Sequence, residues 1–145
     1  MLSKSFGYAL RSVLYMAALQ NEKKVIQLQE IAEQLDVPKH FLGKVMKRLV
    51  KKGIIDSSKG HAGGYALNNK TLSVSVIDIL DLIEGEELFS TCVIGFKKCN
   101  PGNPCPLHDQ FSDTKKQMLN LFSETRIIDL LGEDKPALIR SLITA

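Results

Sequence analysis

Apolar residues recur every three or four positions near the start of the chain. Phe6, Leu10, Val13, Leu14, Ala17 and Ala18 fall on one side of a helix at that spacing. Ser3 precedes the run, where its hydroxyl can cap the first turn. Gln20–Lys24 is polar and ends the helix, and Val25–Leu28 reads as a small strand. Leu28, Ile31, Ala32 and Leu35 define a second helix over 28–35. Asp36-Val37-Pro38 breaks it, and Pro38 suits the first turn of a third. That helix runs to about Lys52, with Phe41, Leu42, Val45, Met46 and Leu49 inward and Gly53 as its stop. Ile54–Ser58 and Gly64–Leu67 then read as paired strands around Lys59-Gly60-His61-Ala62-Gly63.

The second half is patterned differently. Ser73–Leu82 predicts a short helix ended by Gly85, with Val74, Ile77 and Leu80 inward. From Cys92 to His108 the chain holds Gly95, Pro101, Gly102, Pro104 and Pro106, so helix and strand are disfavoured. From His108 to about Glu124 a stripe of Phe111, Met118, Leu121 and Phe122 predicts a longer helix. A second copy of the chain is the simplest partner for such a stripe, and packing back on the first helix is the alternative. Ile127–Leu131 and Ala137–Ile143 add apolar turns able to cover a core. The fold class expected is mainly α with a small β-hairpin wing: a winged helix-turn-helix plus a long dimerisation helix. The units expected are a DNA-binding head over 1–84, a cysteine-containing sensor loop over 85–107, and a dimerisation helix with a helical tail over 108–145.

Composition narrows the classes. A chain of 145 residues with 44% hydrophobic content can bury one core. The start lacks the pattern of a secretory signal, and no apolar run approaches the roughly 18 residues of a membrane span. The expected location is the cytoplasm, with no membrane partner and with reduced cysteines. The net charge of +3 is unevenly spread, with 12 Lys+Arg against 5 Asp+Glu in residues 1–70 and the reverse bias beyond. On the third helix Lys39, His40, Lys44, Lys47, Arg48, Lys51 and Lys52 look outward with no acid among them. Like charges repel at that spacing, and phosphate relieves the repulsion. Double-stranded DNA is the expected partner of this face, a solvated basic surface being the plainer alternative. In the wing, Lys59 and His61 supply donors, and Gly60 and Gly63 allow close backbone approach to a phosphate or the minor groove. No phosphate loop, nucleophile elbow or paired carboxylates appear, so an enzyme is not expected.

All three cysteines lie in the Cys92–His108 stretch. Six residues separate Cys92 from Cys99, five separate Cys99 from Cys105, and His108 follows after two more. Thiolates hold iron–sulfur clusters, and histidine can replace one of them. Four ligands satisfy a two-iron cluster. A four-iron cluster would use the three cysteines plus a fourth donor. Zinc is the rival metal, although its structural sites more often use cysteines only two residues apart. Reactive or buried thiols remain open on the residues alone.

The segment Leu28–Leu67, with Lys-Gly-His-Ala-Gly-Gly-Tyr at the wing, resembles the head of the Rrf-two (BadM-type) bacterial transcription regulators. The opening Ser-Lys-Ser-Phe-Gly-Tyr-Ala-Leu-Arg is similar to that family's first helix, and the cysteine loop and late helix fall where the family has them. The resemblance implies a homodimer that reads inverted-repeat DNA under control of an iron–sulfur cluster. It implies Cys92, Cys99, Cys105 and His108 as ligands, with a two-iron cluster favoured over a four-iron one. The chain departs from the pattern at Gly43, where some members carry a glutamate used to discriminate DNA sites. It departs again in the first cysteine gap, one residue longer than usual. Some members draw an acidic fourth ligand from the partner's first helix; here that neighbourhood is Phe6-Gly7-Tyr8.

Overall fold

Residues 2–143 are described by a computed structural model. The fold is built around α1 (Lys4–Ala18), whose Ala9, Val13 and Ala17 are fully enclosed. Ser3 caps it as expected, its hydroxyl accepting from the N–H of Phe6. Small residues along this face let α2 (Leu28–Leu35), α3 (Lys39–Lys51), α4 (Val76–Glu84), α6 (Ile127–Leu131) and α7 (Lys135–Ile143) pack close to it. Between α4 and α6 runs α5 (His108–Glu124), which has no fully buried residue. The late helices are not an appendage, because Ile127, Leu131 and Leu142 share one core with Val13, Leu42 and Leu80.

The second and third helices form the helix-turn-helix. Asp36 sits in the left-handed region at φ 51°, and the N–H of Val37 returns to the carbonyl of Ala32 at 2.9 Å. Pro38 stands one position ahead of the helix, as its N-cap residue, rather than inside the first turn. Leu42, Val45, Met46 and Leu49 point inward as expected, but Phe41 does not: it is 51% exposed. The four buried positions already fill a complete helical stripe, and Phe41 lies beyond its edge.

The hairpin pairs β1 (Asp56–Ser58) with β2 (Gly64–Ala66), with Ser57 opposite Tyr65. It starts later than its apolar run, because Ile54 and Ile55 are buried in the core before the strand begins. The strand expected over 25–28 reduces to one bridge, Ile26 with Tyr65, which ties the wing to the start of α2. In α4 Leu80 is buried as expected, Val74 and Ile77 pack partly buried against the core, and Val76 and Ile79 are the further residues fully enclosed. Ser75 and Asp78 form a reciprocal capping box, so Val74 lies outside the helix.

Arg11 locks the ends of two helices together. Its guanidinium donates to the carbonyl of Leu35, at the end of α2, at 2.8 Å. It also donates to the carbonyl of Leu142, in α7, at 2.7 Å. Helix ends leave carbonyls without partners, and one charged fork satisfies both here.

Candidate functional site

Two surfaces carry the residues singled out in the sequence. The first is the outer face of α3 with the wing. Lys39, His40, Lys44, Lys47, Lys51 and Lys52 are exposed. Lys39 shares an open groove with Gly60 and Gly63 of the wing and Gln29 of α2, so helix start and hairpin face one space. The wing tip is shaped by glycine. Gly60 has φ +100°, and a side chain at Gly63 would lie 2.3 Å from the carbonyl oxygen of Ser58. Lys59 and His61 are exposed at this tip. The side-chain amide of Gln27 donates to the carbonyl of His61 at 3.3 Å, holding the wing against the helix-turn-helix.

Arg48 is differently placed from its lysine neighbours. Its guanidinium donates to the carbonyls of Leu82 and Ile83, at the end of α4. A cation on those carbonyls also complements the negative end of the helix dipole. Arg48 therefore braces the reading helix against α4.

The second surface is the loop between α4 and α5. A short 3₁₀ turn, Glu86–Phe89, leads into it. Cys92, Cys99, Cys105 and His108 all line one cavity of about 220 Å³, whose walls include Phe89, Leu107, Phe111 and Leu119. Cys99 Sγ lies 3.0 Å from His108 Nδ1, and Cys92 and Cys105 line the same cavity as free thiols. Local turns create this arrangement. The N–H of Gly95 returns to the carbonyl of Cys92 at 3.0 Å, and the N–H of Cys99 to the carbonyl of Ser90 at 3.1 Å. The side chain of Asn100 accepts from the N–H of Gly102 at 2.9 Å, and the N–H of His108 bonds the carbonyl of Cys105 at the start of α5. Among the described residues, no three ligating side chains converge on one point.

The thiol of Cys92 is held below its ordinary range. The backbone N–H of Ile94 pulls hardest; the N–H of Phe96, the Cys105 thiol and the charge of Lys115 add to it, while burial opposes them. Lys115 was not singled out in the sequence. It stands over the Phe111 ring, 5.7 Å from its centre. Its ammonium also donates to the carbonyls of Phe89, at 3.2 Å, and Thr91. It thus staples the incoming limb of the loop to α5. Its position one turn beyond Phe111 and two beyond His108, on the loop-facing side, was the available signal.

A basic reading helix, a glycine-tipped wing and a long carboxyl-side helix define a DNA-binding transcription regulator of the winged-helix class. The chain matches the Rrf2 family model, described as "Iron-dependent Transcriptional regulator", over residues 2–133, and it belongs to that family. It is 32% identical, over 90% of both chains, to an Aquifex aeolicus protein assigned among the HTH-type transcriptional regulators. It is 24% identical to the HTH-type transcriptional regulator IscR of Klebsiella pneumoniae, over 92% of this chain and 81% of that one. These relatives are regulators and not enzymes. Among solved structures it resembles CymR, the global cysteine regulator of B. subtilis, with a TM-score of 0.74 and 20% identity, over 90% and 95% of the two chains. It also resembles T. potens IscR, with a TM-score of 0.67 and 23% identity, over 90% and 85%. No helix among the described residues is long and apolar enough to cross a membrane.

Proposed function

We propose that this chain is a homodimeric, cytoplasmic regulator whose grip on inverted-repeat DNA is set by an iron–sulfur cluster on the cysteine loop. The observation that supports this most is the gathering of Cys92, Cys99, Cys105 and His108 around one cavity, with Cys99 and His108 only 3.0 Å apart. A two-iron cluster takes two ligands on each iron and accepts histidine among them. The cysteine–histidine pair suits one iron of such a cluster and leaves Cys92 and Cys105 for the other, whereas zinc gathers four ligands about one ion. Lys115 and Lys116 at the cavity wall offset the negative charge of thiolate ligands. When bound, the cluster supplies iron that oxygen and nitric oxide can attack. The chain's own residues carry the consequence: Lys115 couples the loop to α5, and Arg48 couples the end of α4 to α3.

In this reading the head over 1–84 meets DNA, the loop over 85–107 senses, and 108–145 pairs the two copies while sharing the head's core. Lys39, His40, Lys44 and Lys47 approach the major groove, Lys59, Gly60, His61 and Gly63 the flanking backbone or minor groove, and Arg48 orients the helix. The test is anaerobic reconstitution with iron and sulfide, followed by metal and sulfide analysis. The expected result is a coloured protein with about two iron and two sulfide per chain. A colourless protein holding zinc overturns it.

A second reading is a metal-free thiol regulator. The lowered Cys92 thiol favours it, as does the likeness to CymR. Its signature is a change in DNA affinity when metal-free protein is oxidised, reversed by dithiothreitol.

A further inference from the structure

The whole of α3 reads Lys-His-Phe-Leu-Gly-Lys-Val-Met-Lys-Arg-Leu-Val-Lys, with no Ser, Thr, Asn, Gln, Asp or Glu. The usual side-chain readers of adenine and cytosine edges are therefore missing from the helix that the wing and the helix-turn-helix present to DNA. Leu42, Val45, Met46 and Leu49 are buried, and Arg48 is engaged with α4. Gly43 has no side chain, and its nearest neighbour outside α3, Leu28 Cδ2, lies at 3.4 Å from where one would begin, so packing alone does not demand glycine there. What remains outward is a set of lysines, His40 and Phe41. Lysines serve phosphates and guanine; none of them recognises an A·T pair by its methyl group.

Phe41 is half exposed, in the first turn of α3, among Lys39, His40 and Lys44. The His40 ring packs beside it with centres 4.0 Å apart, which props the phenyl group in place rather than covering it. The basic residues around it bring a polyanion to this apolar ring, and the first turn of such a helix is the part that meets base edges. The major groove of B-DNA displays one apolar group, the 5-methyl of thymine, and phenylalanine is among the side chains that contact it.

We propose that Phe41 is a specificity-determining residue that reads the 5-methyl group of a thymine in the major groove. The inference rests on α3 being the DNA-reading helix. In the test, the full chain and its Phe41→Ala variant each select sites from a randomised duplex library. The wild-type site is then synthesised with deoxyuridine replacing each thymidine in turn. Uracil pairs as thymine does and lacks only the methyl group. At one or more positions the exchange should weaken wild-type binding about fourfold, the worth of one buried methyl group. Phe41→Ala should bind the two duplexes alike while keeping its affinity for unselected DNA. Equal wild-type binding to all thymidine and deoxyuridine duplexes overturns the inference and leaves DNA binding by α3 standing. So does a Phe41→Ala variant that keeps the same sensitivity. If wild type enriches no site and Lys47→Ala does not change its affinity for duplex DNA, the reading of α3 falls and this inference falls with it. The wild-type comparison needs no variant, so it decides the question even if Phe41→Ala folds poorly.

Discussion

Cys99 Sγ lies 3.0 Å from His108 Nδ1, so a loop cysteine and the first residue of α5 face each other directly. The N–H of His108 is tied to the carbonyl of Cys105, which places a second cysteine beside the same helix start. A group bound here grips the loop and the helix at once. Whatever orders or loosens that grip acts directly on the foot of α5.

This contact separates the roles of the four donors. Changing Cys92, Cys99 or Cys105 to alanine should abolish the visible absorption of the anaerobically reconstituted protein. His108→Cys should keep the colour and slow cluster loss, because a charged thiolate holds iron more tightly than a neutral imidazole. Optical spectra and timed chelation of released iron measure both. A single cysteine variant with the full spectrum would sink the cluster reading.

Lys47 and Arg48 are neighbours with different expected effects. Lys47→Ala should weaken binding to every duplex and lower the salt slope by about one, as for a lost phosphate contact. Arg48→Ala should cost about 1 kcal/mol of stability, since the carbonyls of Leu82 and Ile83 lose a charged donor. Thermal melts and binding across a salt series distinguish them. A stability loss at Lys47, with none at Arg48, would contradict the assignments.

Leu121 is 59% exposed on α5. The neighbouring Phe122 is turned toward the chain's own core, where its ring lies 6.2 Å from that of Phe6 between centres. Leu121→Glu should therefore leave the fold intact and yield a monomer, because a charge in an apolar interface is costly. Light scattering at micromolar concentration reads the mass. A wild-type monomer in both metal-free and loaded forms removes the dimer.

Tyr15 predicts an alkaline limit. Its phenol is pushed up to about 12, chiefly by burial and then by the nearby charge of Glu30, to which it donates a hydrogen bond. Between the ordinary value near 10 and that raised one, the unfolded chain loses the proton and the folded chain keeps it. Stability should fall as pH rises through this window. Tyr15→Phe should flatten the fall, as followed by denaturant midpoints at pH 9 to 11. An unchanged slope would show that other groups set the limit.

Much of this architecture is local and therefore legible along the chain. The limits of α2 and α5 follow from apolar periodicity, as does the cap at Ser3 from its hydroxyl and position. The glycine stop at Gly53 is there too, with φ +79°. Phe41 was misplaced for a physical reason. Apolar character marks a residue as buriable, but α3 turns to the core the stripe of Leu42, Val45, Met46 and Leu49, and Phe41 lies beyond its edge. Counting those four as complete would have left Phe41 outside. The inward face of α4 proved wider than expected, because Val76 and Ile79 are enclosed beside Leu80 while Val74 and Ile77 pack at its margin.

By itself the sequence determined the inventory: which stretches are helical, where the wing turns, that α3 is basic, and that three thiols and an imidazole share one loop. These depend on short-range spacing and on side-chain chemistry. Only the tertiary structure decided which faces are covered, that Arg48 bonds α4, that Arg11 joins α2 to α7, and that Cys99 meets His108 while Cys92 and Cys105 line the same cavity. Such contacts depend on how separate elements fall together. Hydrophobic burial is non-directional, so it selects that arrangement only when the whole core closes around α1.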